Sequence, residues 1–403
     1  MMERGTYTQR KYDDMISAAE AEAFDSDYDD ARLLEQLNSS DFFAPFSDRL
    51  LRYISKVLDK EDCTRREAYL FLYNKMKTAG INPSINTIKK WLNVKETPEG
   101  DVGPKMGDKG REAMFQVAFS LELSVAETED FFHRVYLDKA FNFRNPREYV
   151  YFYCLQRGRS YTEAHDLAEK AERLISADPA SDGASATVMI KQAAQTANDD
   201  DELLAYIGEH AFNFTRKNET ALTTQERLLK DLTGEGGQIG LAAKEYQEYK
   251  DYDMQGSEGR NLHSVDFVLD IAVNGHESIE KSKNGPSIKR AREVFSRREI
   301  SDQFPNANTI SHPDSSYILR KNIIFLFFYW FWVKDFLRDY PDGDDETFVT
   351  ELNTILEACG YSPLYFGNPY DWLFLYCSTC KDNGTRPLDV FRGILEEDWE
   401  DEE

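Results

Sequence analysis

Asn145-Pro146-Arg147-Glu148-Tyr149-Val150-Tyr151-Phe152-Tyr153-Cys154 has a near-copy later in the chain, Asn368-Pro369-Tyr370-Asp371-Trp372-Leu373-Phe374-Leu375-Tyr376-Cys377. Asn and Pro match outright, an acid follows two residues on, and both stretches end Tyr-Cys. Each reads as the start of a helix. Asn is a good N-cap, and Pro suits the first helical position because its missing N–H would be unpaired there anyway. Glu148 and Asp371 fall in the first turn, where the helix dipole favours a carboxylate. The aromatic residues that follow read as core. The register extends upstream without a gap, with Phe132 on Ile355, Val135 on Ala358 and Phe143 on Phe366. A match of this length reads as an internal duplication.

Working outward, Arg111 to Phe119 is echoed by Arg320 to Phe328, and Ile81 to Ile88 more faintly by Phe304 to Ile310. Apolar residues recur at helical spacing through Phe46, Leu50, Leu51, Ile54 and Leu58. Thr64 is placed to cap a helix through Ala68, Leu70, Phe71, Leu72 and Met76 that ends at Gly80. Met114 to Leu123, Ala126 to Leu137 and Ser160 to Ile175 read as further helices, as do 262–273, 286–297 and a short segment at Ala31–Leu37. No convincing period-2 strand occurs, so the expected class is all-α: a duplicated multi-helix module flanking a helical middle region. The expected layout is an acidic segment 1–40, module 1 at 41–176, linker and middle region 177–260, module 2 at 261–395, and an acidic tail 396–403. The linker 176–200 and the polar break Asp251 to Gly259 set the middle boundaries. Asp335 to Asp345 reads as an acidic insertion within module 2.

Composition narrows the function. The 403 residues include 26 Phe and 22 Tyr, enough for large-ring cores. A net charge of −25 and a pI near 4.7 repel nucleic acid and anionic membranes in general, so nucleic-acid contact requires a local basic island. Five cysteines and a polar, mixed-charge start point to reduced thiols in a cytoplasmic protein. The run Ile323 to Val333 is almost wholly apolar, but eleven helical residues span about 16 Å against roughly 30 Å of hydrocarbon. It reads as a buried helix, and no membrane partner is expected.

The island lies between Thr64 and Lys95, where Arg65, Arg66, Lys75, Lys77, Lys89, Lys90 and Lys95 face Glu67 alone. Inside it, Ser84 reads as an N-cap for a helix whose apolar face is Ile85, Ile88, Trp91 and Leu92. Asn86, Thr87, Lys89 and Lys90 point the other way. A capped helix after a turn and a preceding helix, with Trp inward and small polar and Lys residues outward, resembles the recognition helix of Cro/repressor-like (XRE-type) helix-turn-helix domains. The resemblance covers about residues 64–123. It implies a DNA-binding surface at Ser84, Asn86, Thr87, Lys89, Lys90 and Lys95, with Asn reading adenine and Lys guanine in the major groove. The stretch 93–110 is long for the family and reads as an exposed loop. In the second copy Asn306, Asn308, Thr309 and Ser311 lack a Lys, which fits protein contact better than DNA.

Other chemistry is not indicated. Cys377 and Cys380 form a lone CxxC without a second ligand pair, so no metal is expected. The six histidines are scattered, and Gly234 to Gly240 lacks the Lys and the preceding strand of a phosphate loop. No carboxylate pair stands out for acid/base work. No catalytic, cofactor or metal site follows. The expected function is a non-enzymatic DNA-binding regulator of bacterial or phage/mobile-element origin. Module 1 would dock duplex DNA, and module 2 would hold a protein partner or a second copy. The alternative is an acidic DNA-mimic inhibitor, such as a phage-encoded inhibitor of bacterial defence, that occludes a nucleic-acid-binding partner.

Overall fold

The computed structural model describes residues 43–95, 103–104, 107–175, 187–214, 218–235, 237–250, 261–275, 304–313, 316–365, 367–380 and 385–395. The expected helices at 31–37 and 286–297, the break at 251–259, the acidic tail 396–403 and the position of Phe366 lie outside these residues. The described residues form seventeen α-helices with no strand, so the class is all-α. The chain divides into two compact units, one spanning Ala44–Asn218 and the other Glu219–Glu403 together with Met1–Phe43.

In the 44–218 unit the helices are α1 (Phe46–Val57), α2 (Arg65–Thr78), α3 (Ile85–Trp91), α4 (Asp108–Ser120), α5 (Val125–Phe131), α6 (Pro146–Gln156), α7 (Tyr161–Leu174), α8 (Thr187–Thr196) and α9 (Asp200–Glu209). Capping explains several starts. Thr64, Ser124 and Ser160 each form a reciprocal capping box with the Glu three residues on. The Asn145 side chain accepts from the N–H groups of Arg147 and Glu148, with Pro146 at the first position. Helix α6 is the axis of the unit: Tyr149 through Leu155 are all buried, so it is apolar all round rather than amphipathic. Rings pack round it, Phe115 against Tyr151 at 5.1 Å, Phe141 against Phe152 at 5.2 Å and Tyr149 against Phe214 at 4.9 Å.

The unit reaches further along the chain than the expected boundary at 176–177. The Tyr153 hydroxyl donates to Asp200 at 3.1 Å, Arg159 pairs with Asp200, and the Arg157 guanidinium donates to the Ala197 carbonyl. Those contacts bind α8 and α9 to α6 and α7. The acidic run 199–202 supplies the Asp199 cap and the Asp200 anchor of α9. The division falls instead at Asn218, between a short 3-10 turn (Ala211–Phe214) and the next helix.

The second unit holds α10 (Glu219–Thr233), α11 (Leu241–Lys250), α12 (Val265–Asn274), α13 (Ala307–Ser311), α14 (Ser316–Phe336), α15 (Asp345–Ala358), α16 (Pro369–Thr379) and α17 (Pro387–Leu395). The apolar run 323–333 lies inside α14, a helix of 21 residues buried from Leu319 through Tyr329. No described helix is long and apolar enough to cross a membrane. A buried triad ties three helices to this core: the Tyr329 hydroxyl donates to Glu245 at 2.8 Å, and Arg392 pairs with Glu245 at 3.0 Å.

The two units share one internal contact pattern. In the first, Arg111 on α4 grips both oxygens of Glu148 at 2.7 and 2.8 Å and donates to the Ala140 carbonyl, while the Asn142 N–H also donates to Glu148. In the second, Arg320 on α14 grips both oxygens of Asp371 at 2.8 and 2.7 Å and donates to the Pro363 carbonyl, and the Tyr365 N–H donates to Asp371. From 140, 142 and 148 to 363, 365 and 371 the step along the chain is the same. Leu137 and Gly360, at that same step, both hold a positive φ, of 60° and 75°. The first-turn acids therefore do more than meet a helix dipole: each is buried and neutralised by an arginine from another helix.

Candidate nucleic-acid interface

Helix α2 starts at the Thr64 capping box and ends at Ala79, after which Gly80 takes a φ of +77° that only glycine adopts without strain. The Ile81 N–H bonds back to the Met76 carbonyl, reversing the chain toward α3. Residues 79–84 connect the helices, against three or four residues in the usual helix-turn-helix turn. Helix α3 is fixed from behind. Ile88, Trp91 and Leu92 are buried, Trp91 meets Phe46 edge-on at 6.3 Å, and Arg65 donates to the Leu92 carbonyl at 3.1 Å.

Two expectations for α3 change. Ser84 precedes the helix with extended backbone, but its side chain makes no capping bond. Ile85 is 44% exposed although at 100° per residue it projects within about 20° of Leu92 and about 60° of Ile88; it is the first residue of the helix and stands at its open end. Leu70 of α2, expected within the helix pattern, is likewise 45% exposed. Of the predicted contact residues, Ser84, Asn86, Lys90 and Lys95 are exposed, while Thr87 and Lys89 are half-buried. Ile85, Asn86, Lys89 and Lys90 form one continuous outward arc.

Helix α2 extends this arc. Lys89 Nζ lies 5.3 Å from the Tyr69 ring, Tyr69 stacks on Tyr73 at 6.0 Å, and Lys77 Nζ lies 5.4 Å from the Tyr73 ring. The result is a strip of two tyrosines with a lysine at each end, in which Tyr69 is buried and Tyr73 half-buried, so that Lys77 is its most exposed member. Residues 79–95 contain no carboxylate. Not all of the island is available, however. Arg65 pairs with Asp48, and Lys75 pairs with Glu122 at 3.1 Å. Arg66, Lys90 and Lys95 enter no ion pair among the described residues. The sequence signal for Tyr69, Tyr73 and Lys77 was their i, i+4, i+8 spacing, which puts them on one edge of α2.

Other polar clusters read as internal structure. Cys377 and Cys380 are buried, and no group of His, Cys, Asp or Glu among the described residues could hold a metal ion. Helix α13, the counterpart of α3 in the fainter echo, is bolted into its own unit. Gln225 donates to the Ile310 carbonyl and Asn322 to the Thr309 carbonyl, at 2.8 and 2.9 Å. No family model, curated protein or solved structure matches the chain.

Proposed function

We propose that this chain is a non-enzymatic DNA-binding regulator, of bacterial or phage/mobile-element origin, that docks duplex DNA through α3 and the adjoining edge of α2. The observation that carries the reading is the outward arc Asn86, Lys89 and Lys90. It stands on a helix braced from behind, within a stretch free of carboxylates on a chain of charge −25. Lysines at such a surface release counterions from the phosphate backbone, and Asn86 has the donor and acceptor that an adenine edge requires. Local positive charge on an acidic chain steers a polyanion toward this face. The shortness of α3 limits the number of base edges it can reach to a few. The test is fluorescence anisotropy with a random-sequence duplex at about 50 mM salt. Wild type is expected to bind and Lys90→Glu to bind at least tenfold more weakly, whereas equal binding by both would refute the assignment.

The second reading, an acidic inhibitor that occupies a nucleic-acid-binding partner, is favoured by a different surface. Asp339, Asp342, Asp344 and Glu346 are exposed around the start of α15, with Glu351 and Glu357 exposed further along it, and Tyr340 stands 88% exposed in the preceding loop. The loop is fixed by Asp335, which accepts from the Gly343 N–H at 2.7 Å. In the DNA-binding reading this second unit serves a protein partner or a second copy. Absence of any duplex binding, together with capture of a basic nucleic-acid-binding protein that Tyr340→Ala abolishes, would favour this alternative.

A further inference from the structure

Ile85 is the one aliphatic side chain exposed on α3, at the border between its buried side and the outward arc. Its neighbours toward the interior, Ile88 and Leu92, are fully buried, while Ile85 is 44% exposed. Helix α13 provides an internal control. Ile310 is buried as Ile88 is, Thr309 is half-buried as Thr87 is, and Asn308 is exposed as Asn86 is. At the position matching Ile85 that helix carries Ala307. Ala307 is partly buried against the core of its unit, whereas the larger Ile85 is left 44% exposed next to the exposed Asn86.

We propose that Ile85 reads the 5-methyl group of a thymine next to an adenine held by Asn86, so that the DNA taken by this face is A·T-containing duplex entered from the major groove. The inference rests on the DNA-binding reading above. Only thymine places a methyl group on the major-groove edge, and an aliphatic contact there distinguishes A·T from the other pairs. The amide of Asn86 supplies both the donor and the acceptor that N7 and N6 of adenine require. Lys89 and Lys90 flank the pair and supply the sequence-independent attraction.

The experiment compares three 20-base-pair duplexes at about 50 mM salt: alternating A·T, the same duplex with deoxyuridine in place of thymidine, and alternating G·C. Uracil differs from thymine by the methyl alone. Wild type is expected to bind the thymidine duplex about fourfold more tightly than the deoxyuridine duplex, the value of one buried methyl. Ile85→Ala, whose side chain carries little of the core, is expected to bind the two equally. Asn86→Ala is expected to lose the preference for A·T over G·C. Equal binding of thymidine and deoxyuridine duplexes by wild type, or a thymidine preference that survives Ile85→Ala, would overturn the inference while leaving DNA binding intact. Failure to bind any of the three would remove the DNA-binding reading and this inference with it.

Discussion

Arg320 holds Asp371 in a two-pronged grip, Nη1 and Nη2 lying 2.8 and 2.7 Å from its two oxygens, with the carboxylate wholly removed from solvent. Arg111 treats Glu148 in the same way in the other unit. A planar guanidinium matches a carboxylate bidentately, which fixes the angle between the two helices as well as neutralising the buried charge.

Removing one partner of such a pair leaves a buried charge without compensation. Asp371→Ala and Glu148→Ala are each expected to lower stability by about 3–5 kcal/mol in denaturant unfolding. Asp342→Ala, at an exposed pair with Arg338, is expected to stay within about 0.5 kcal/mol of wild type. A loss below about 1 kcal/mol at Asp371 would show that the grip is not what aligns α14 with α16.

Helix α14 offers a graded series. Phe328 is buried against Phe348, Phe374 and Phe391 at 5.1–5.9 Å, so Phe328→Ala is expected to cost about 3–5 kcal/mol. Trp330 is only half-buried and bonds Asp231 at 3.0 Å, so its truncation is expected to cost less. Tyr340→Ala is expected to leave the unfolding midpoint unchanged, since the ring touches mostly water. A reversed order would place the core elsewhere.

The all-helical class and most helix starts could be read in advance because their signals are local. Thr64 with Glu67, Ser160 with Glu163 and Asn145 with Pro146 settle their helices within three or four residues. What escaped depends on neighbours distant in the chain. Glu148 and Asp371 read as dipole partners because their arginines come 37 and 51 residues earlier. Ile85 read as core because it lies at helical spacing from Ile88 and Leu92, but as the first residue of a seven-residue helix it stands at the open end, where the sequence spacing alone does not decide burial. The division of the chain escaped for a similar reason. The polar stretch 176–200 has a linker's composition, but Arg157, Arg159 and Tyr153 hold Ala197 and Asp200 at its end.

The five cysteines are all buried, and burial pushes the Cys154 thiol up to about 12. Thiolate is the reactive form, so native protein is expected to react slowly with a disulfide reagent near pH 8. All five thiols should appear promptly in concentrated guanidinium. Fast reaction of one or more in the native state would contradict the burial of these side chains.

The capping box of α2 carries a pH signature. A hydrogen bond from Lys60, then bonds from the Thr64 backbone and side chain, hold Glu67 down from its usual 4.5 to about 2. A depressed carboxylate contributes its stabilisation in full above the ordinary value. The contribution fades as the pH falls from about 4.5 through about 2. A carboxyl titration followed by NMR is expected to place the Glu67 midpoint near 2 in wild type, higher in Lys60→Ala, which removes the largest cause, and raised less in Thr64→Ala, which keeps the backbone bond. A midpoint at the ordinary value in wild type would mean the box is open in solution.

The claim at the centre of this account is that a basic helix face on an acidic chain takes DNA, and the salt dependence of binding tests it most directly. If Lys77, Lys89, Lys90 and Lys95 each neutralise a phosphate, log K against log salt should fall with a slope of about −3.6, so that raising salt from 50 to 200 mM weakens binding by about 150-fold. Lys90→Ala should make that slope shallower by about one unit. A flat salt response, or a slope that Lys90→Ala leaves untouched, would contradict the assignment of α3 as the DNA-docking face.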